Sequence, residues 1–99
     1  MNDKLLFDLG FIITYTNYNT SAYKLPGMRW SSVWLNNDGS CEVAKKLYKY
    51  GNDYITASDT EVHYNSIYEA IPQIQNIVQQ FKELNVVIKK EKMEKDFCN

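Results

Sequence analysis

The fold is decided by residues Tyr64 to Leu84, which read YNSIYEAIPQIQNIVQQFKEL. Large apolar residues recur there at alternating steps of four and three, while glutamine, glutamate, asparagine and lysine fill the other side of the period. This spacing predicts one long amphipathic helix with a single face turned to a core. The apolar positions are Ile67, Ile71, Ile74, Val78 and Phe81, widened by Ala70, Ile77 and Leu84.

The start of this helix is marked in the sequence. Either Asn65 or Ser66 can be its N-cap, and Ser66 with Glu69 has the spacing of a capping box. Pro72 lies inside the pattern, where it either kinks the helix or marks the start of its main segment. We expect the helix to end at Asn85 and to be followed by a short final strand at Val86 to Lys90.

The first part of the chain alternates as strands do. Lys4 to Asn17 has an apolar residue at every second position and predicts a strand, with Gly10 as the place of a bulge or bend. Asn17 to Gly27 is rich in Asn, Ser and Thr and predicts a loop. Met28 to Leu35 predicts a second strand. Asn36 to Gly39 predicts a hairpin turn, because Asn, Asp and Gly tolerate left-handed backbone.

The segment Ser40 to Tyr50 has two interpretations. A third strand would give the second strand a partner across the hairpin turn. A helix capped by Ser40 and ended by Gly51 also fits the spacing. We favour the strand. The predicted elements after it are a turn at Gly51 to Asp53, a short fourth strand at Tyr54 to Ala57 and a polar connection from Ser58 to Asn65.

Together these elements predict an α+β domain, in which a three- to four-stranded antiparallel sheet carries one long amphipathic C-terminal helix on one face. Residues 1–90 form this single domain, and residues 91–99 are a charged tail whose composition allows disorder. One helix covers only one face of such a sheet. The other face must therefore meet water, the short final strand or a partner.

Composition argues against several classes of function. The net charge of the 99-residue chain is −1, so it lacks the bulk positive charge that nucleic-acid binding usually needs. No apolar run approaches the length of a membrane span, and the N-terminus lacks a signal-peptide cleavage pattern. We therefore expect a cytoplasmic protein with no membrane partner, in which Cys41 and Cys98 are free thiols.

Aromatic residues form the first candidate site. They make up 14% of the chain, and eight of them are tyrosines, whose rings contribute rigid area at binding surfaces. Met28, Trp30 and Trp34 share one face of the predicted second strand, while Tyr18 and Tyr23 lie in the loop before it. An exposed aromatic patch predicts protein binding. A tyrosine-rich sheet also follows from β propensity alone.

A basic and aromatic strand forms the second candidate site. On a strand, Lys46, Tyr48 and Tyr50 point one way, and Lys45 and Lys49 the other. Such a strand could neutralise single-stranded nucleic acid and stack on its bases. Lysines also protect sheet edges from aggregation, and that simpler role competes with nucleic-acid binding.

Catalytic chemistry has little support in the sequence. His63 is the only histidine, and pairing it with Cys41 rests on no motif. The four glycines are isolated, so no phosphate-binding loop is formed, and no calcium-loop pattern is found. We expect no enzyme activity, no metal and no cofactor.

The function that best fits these observations is a small non-catalytic protein-binding module. Its format is that of many phage and mobile-element proteins that inhibit a larger host protein, such as a defence nuclease in an anti-CRISPR-like manner, or a toxin. The alternatives are a nucleic-acid-binding module that uses the Lys/Tyr strand, and a homodimeric structural protein. The expected partner-binding residues are Tyr18, Tyr23, Met28, Trp30, Trp34, Lys46, Tyr48 and Tyr50.

Overall fold

The computed structural model describes residues 3–51 and 54–97 and confirms the α+β class. Its sheets contain more strands than the three or four predicted. Five strands form one antiparallel sheet in the order β1-β2-β3-β4-β7, and β5 and β6 form a separate hairpin. The elements are α1 (Lys4–Asp8), β1 (Ile12–Thr16), β2 (Thr20–Lys24), β3 (Val33–Asn36), β4 (Cys41–Ala44), β5 (Leu47–Tyr50), β6 (Tyr54–Ala57), β7 (Glu61–Tyr64) and α2 (Ile67–Phe97).

The predicted strand from Lys4 to Asn17 is wrong in its first half, where the chain forms α1. The Phe11 N–H donates to the Leu6 carbonyl (2.9 Å), and the Gly10 N–H to the Phe7 carbonyl (3.0 Å). With Gly10 at φ +98°, these bonds make a Schellman helix end. Leu6 and Phe11 are buried beside it. Five residues are too few to separate the helical from the alternating period, which explains the error.

The segments Asn17 to Gly27 and Ser58 to Asn65, both predicted as connections, each contain a strand. β2 carries Ser21 and Ala22 in its centre, and β7 has polar Glu61 and His63 on its outer side. β2 therefore lacks the large alternating apolar residues that indicate a strand, and in β7 the alternation of Val62 and Tyr64 with polar residues spans only four positions. The second predicted strand is shorter than expected, because only Val33–Asn36 pairs as β3.

The hairpin turn at Asn36 to Gly39 joins β3 to β4 as predicted, with Gly39 at φ +93°. Ser40 to Tyr50 is extended, as favoured over the helix, but it is split into β4 and β5. The chain bends at Lys45 and Lys46, so β4 pairs with β7 while β5 pairs with β6. The fourth predicted strand, Tyr54–Ala57, is β6. Of the turn before it, Asn52 and Asp53 lie outside the described residues.

The long C-terminal helix packs on the sheet as predicted. Its start is confirmed: the Glu69 N–H donates to Ser66 Oγ (3.3 Å), and Glu69 Oε2 accepts from the Asn65 N–H (3.1 Å). The helix continues through Pro72. The predicted end at Asn85 and the strand at Val86 to Lys90 are wrong, since the helix runs on to Phe97. The disordered tail at residues 91–99 stays a prediction.

The core lies between α2 and one face of the five-stranded sheet. Strand pairing places Val33, Leu35, Cys41 and Val43 on this inner face, where all four are buried. Helix α2 adds a buried stripe on its side of the core, made by Ile67, Ala70, Ile74 and Ile77. The opposite face, hereafter the outer sheet face, carries half-buried or exposed side chains in a row: Trp34, Glu42 and His63.

Candidate protein-binding surface

The β5–β6 hairpin separates its apolar residues from its tyrosines. Because side chains alternate along a strand, Leu47 and Ile55 point to the core and are only 2% and 1% exposed. The pairs Tyr48↔Thr56 and Tyr50↔Tyr54 lie on the opposite side. Tyr48, Tyr50 and Tyr54 are therefore held outward by the same pairing that buries the inner residues.

A buried methionine brings two further residues to this hairpin. Met28 is 2% exposed and forms an isolated parallel bridge with Ile55. The Arg29 N–H donates to the Ile55 carbonyl (3.0 Å), and Lys24 Nζ donates to the Met28 carbonyl (3.1 Å). These contacts tie the loop before β3 to β6 and leave Arg29 and Trp30 on the surface.

The outward side chains form a cluster around Arg29. Its guanidinium carbon lies 5.8 Å from the Trp30 ring centroid, 5.5 Å from that of Tyr50 and 5.7 Å from that of Tyr54. A guanidinium is attracted to the faces of such rings by cation–π interactions. We call this cluster, together with Tyr48, the Arg29 patch. A pocket of about 190 Å³ lies among its residues and has Asp59 in its wall.

The Arg29 patch is exposed despite its apolar content. Trp30 is 61% exposed, Tyr50 54%, Tyr54 52% and Tyr48 41%. Single aromatic side chains scattered over a surface are ordinary. Here Trp, Tyr and Arg side chains lie together on one surface, and these are the residue types that dominate binding energy at interfaces.

The predicted basic cluster is divided by the fold. Lys46 is exposed at the bend that directly precedes β5, the strand that carries Tyr48 and Tyr50. Lys49 lies on the inner side, where its Nζ pairs with Glu91 of α2 at 2.7 Å. Part of the predicted positive charge is therefore neutralised away from the tyrosines.

Met28 is buried while Trp30 is exposed, so these two residues do not form the predicted common face. The reason is that Met28 to Ser32 is not part of β3, so the alternation does not hold across it. Trp34 lies on the outer sheet face, paired with Ala22 and Glu42. The side chains beside it hydrogen-bond one another: Glu42 Oε2 accepts from Asn36 Nδ2 (2.7 Å), and Glu42 Oε1 lies 2.9 Å from His63 Nδ1.

The two tyrosines of the predicted loop have different environments. Tyr18 is 96% exposed in the turn between β1 and β2. Tyr23 is 1% exposed, because it lies in β2 facing the core, with its ring edge-on to Phe7 at 6.1 Å. Burial, together with the Asp3 carboxylate near its hydroxyl, raises the pKa of Tyr23. Tyr23 is thus a core residue and not a contact residue.

Cys41 and His63 are separated by the sheet. Cys41 is fully buried on the inner face, and burial, with a smaller effect of Glu42, raises the pKa of its thiol to about 11. His63 pairs across from Glu42 on the outer sheet face. The two side chains therefore point to opposite sides. Within residues 3–51 and 54–97, no group of three or more His, Cys, Asp or Glu side chains could hold a metal ion.

Two residues of the Arg29 patch were absent from the expected contact residues. Arg29 adjoins Trp30 in the sequence, but its place among the rings depends on the Met28–Ile55 bridge, for which the sequence has no signal. Tyr54 had a signal: the turn that the sequence predicts at Gly51 to Asp53 implies a hairpin, and Tyr54 does pair with Tyr50.

Comparisons with protein-family models, curated proteins and solved structures returned no match to this chain. In the part of the chain that the structure describes, neither helix combines the length and the apolar character needed to span a membrane. The case for a function therefore rests on the surface itself.

Proposed function

We propose that this chain is a small, non-catalytic protein-binding module that contacts its partner through the Arg29 patch. The observation that carries the proposal is the gathering of Trp30, Tyr50 and Tyr54 around Arg29, with Tyr48 in the wall of the adjoining pocket and each of the four aromatic residues more than 40% exposed. Trp, Tyr and Arg are the residues enriched at interface hot spots.

The patch is also held in place before any partner arrives. The hairpin pairing fixes the tyrosines, the Met28–Ile55 bridge fixes the loop, and the guanidinium contacts three rings at once. Side chains that are already ordered lose less conformational entropy on binding, so more of the contact energy appears as affinity.

Nucleic-acid binding is the second candidate, and it is favoured by one specific observation. Arg29 lies among exposed aromatic rings, and the exposed Lys46 directly precedes the strand that carries Tyr48 and Tyr50, an arrangement that can stack bases and neutralise phosphates. The pairing of Lys49 with Glu91 and the acidic Asp59 in the wall of the pocket weaken this alternative. If the chain binds nucleic acid, its affinity must fall steeply as the salt concentration rises. A protein interface formed by aromatic rings does not have this steep salt dependence.

The form of the activity that we propose is inhibition of a larger protein, such as a host defence nuclease or a toxin. Support comes from the ordered aromatic surface, which suits blocking a site on a partner. A phage or mobile-element origin belongs to the same proposal and rests on format alone. A homodimer formed through the patch is the competing protein-level outcome.

Capture from lysate tests the proposal. The tagged chain is incubated with lysate of its own host cells, with and without nuclease treatment, and bound proteins are identified by mass spectrometry. We expect one stoichiometric protein whose recovery survives nuclease treatment. The double variant Trp30→Ala/Tyr50→Ala should lose it, while Tyr18→Ala/Trp34→Ala, which removes two aromatic side chains elsewhere, should retain it.

Circular dichroism must first show that both double variants are folded. Recovery that disappears with nuclease would support nucleic acid instead, and bait alone at twice its mass would support the homodimer. Equal capture by wild type and the folded Trp30→Ala/Tyr50→Ala variant would exclude the patch as the binding surface.

A further inference from the structure

A second surface, distinct from the Arg29 patch, is an apolar groove along α2. One wall is a face of α2 that includes Val78, Phe81 and Val86, and the other comes from Leu9 and Leu25 near α1 and β2. The groove has a volume of about 580 Å³. Its α2 wall extends from Val78 to Lys89, about three helical turns.

The groove has a charge of one sign. Among the described residues that line it, the charged ones are Lys82 and Lys89, both exposed on α2. Neither of the ion pairs found among the described residues uses these lysines. An apolar floor with a cationic rim is complementary to a ligand that is apolar on one side and acidic at its margin.

A second copy of this chain does not match that charge. In an antiparallel pairing of two α2 helices centred between Asn85 and Val86, Lys82 of one copy lies opposite Lys89 of the other, and this contact occurs twice. Like charges held opposite one another are destabilising. The cationic rim thus disfavours this symmetric pairing, whereas an acidic partner matches the charge of the rim.

We propose that this groove binds an amphipathic helix of a partner protein. The helix would place apolar residues at i, i+3 or i+4, and i+7 on the groove floor, with Asp or Glu beside them facing Lys82 and Lys89. Helix-in-groove recognition has these anchor spacings, and the length of the α2 wall suits about three turns. The proposal is independent of the Arg29 patch.

Peptide display tests the chemistry without a known partner. A library of 16-residue helical peptides, randomised at apolar and flanking positions, is selected on the immobilised full-length chain at moderate salt. We expect enrichment of apolar residues at the helical spacing together with Asp and Glu at the flanks. Enrichment of basic flanks, or no enrichment over a bare surface, would overturn the proposal.

Two pairs of neighbouring residues provide matched variants for the selected peptides. Val86 lines the groove and Val87 does not; Lys89 lines it and Lys90 does not. All four side chains are exposed, so their replacement should leave the fold intact. We expect Val86→Glu and Lys89→Glu to weaken peptide binding about fivefold to tenfold, because each adds a negative charge facing the acidic peptide.

The control variants Val87→Glu and Lys90→Glu, which change the net charge by the same amounts, should bind nearly as well as wild type. Equal losses in both members of a pair would show a general charge effect and contradict the groove assignment. Two other occupants would also overturn it: a dimer whose mass depends on Val86, or displacement of the peptides by palmitate together with stoichiometric palmitate binding.

Discussion

The Arg29 patch and the outer sheet face both expose aromatic rings, but they differ in how their polar groups are satisfied. On the outer sheet face, Asn36, Glu42 and His63 hydrogen-bond one another beside a half-buried Trp34. In the patch, one guanidinium contacts three rings that are each more than half exposed.

This difference indicates which surface gains more from a partner. Polar groups that already bond each other gain little when water is removed, because their hydrogen bonds are only exchanged. Covering exposed rings lowers the free energy of the complex in proportion to the apolar area removed from water. The attraction between the guanidinium and the rings also becomes stronger when both are desolvated. Exposure of aromatics alone does not mark the binding surface; their surroundings do.

The largest expected effect concerns the foundation of the patch. Ile55 is 1% exposed beneath it, so Ile55→Ala should lower the free energy of unfolding by about 2–5 kcal/mol in a urea titration. Its neighbour Tyr54 is 52% exposed on the opposite side of β6, and Tyr54→Ala should change stability by less than about 1 kcal/mol. Similar losses in the two variants would mean that the hairpin does not pack as described.

The second effect is on binding. Arg29→Ala removes the cation at the centre of the patch and should weaken binding to a captured partner by about 2 kcal/mol, roughly thirtyfold, in a calorimetric titration. Arg29→Lys should recover only part of this loss, because an ammonium lacks the planar stacking of a guanidinium. If Arg29→Ala bound the partner as tightly as wild type, the patch would not differ from the rest of the surface in its contribution to binding.

A smaller effect is expected on the outer sheet face. Glu42→Gln replaces the carboxylate that contacts both Asn36 and His63 and should cost about 1 kcal/mol of stability with no change in partner affinity. Glu61→Gln, an exposed position on the adjacent strand, serves as the control and should stay within about 0.5 kcal/mol. A binding defect in the folded Glu42 variant would move the interface to this face.

The smallest effect is a pH dependence at the β3–β4 turn. Asp38 Oδ1 accepts hydrogen bonds from Ser40 Oγ (2.6 Å) and the Ser40 N–H (2.9 Å), which hold the pKa of Asp38 below its usual value. A carboxyl whose pKa is depressed by folding stabilises the protein above its unfolded-state pKa, and this contribution is lost as the pH falls through the folded-state pKa. Between about pH 6 and about pH 2, wild type should therefore lose more stability than Asp38→Asn. Identical losses would contradict the described turn.

Long periodic elements could be predicted from the sequence, whereas short ones could not. The repeat from Ile67 to Phe81 predicted α2 and the face that it buries, and the residues Asn36 to Gly39 predicted the β3–β4 turn. Strand β2 was missed because its small and polar residues carry little periodic signal, and β7 because its alternation spans only four residues.

The candidate binding site could be predicted only in part from the sequence, for a related reason. Tyr48 and Tyr50 follow from alternation along one strand. Their proximity to Trp30 depends on the bridge between Met28 and Ile55, which are far apart in the sequence. Local sequence patterns contain no information on such contacts. The division of the predicted Met28, Trp30 and Trp34 face has the same origin, because the chain leaves the strand geometry before β3.

Hydroxyl-radical footprinting of the chain with and without its captured partner tests most directly whether the Arg29 patch is the binding surface. The oxidation rates of Trp30, Tyr50 and Tyr54 should each fall severalfold in the complex, while that of Tyr18, exposed in the turn between β1 and β2, should stay unchanged. Protection of Trp34 and Tyr18 with full oxidation of Trp30 and Tyr50 would contradict the assignment.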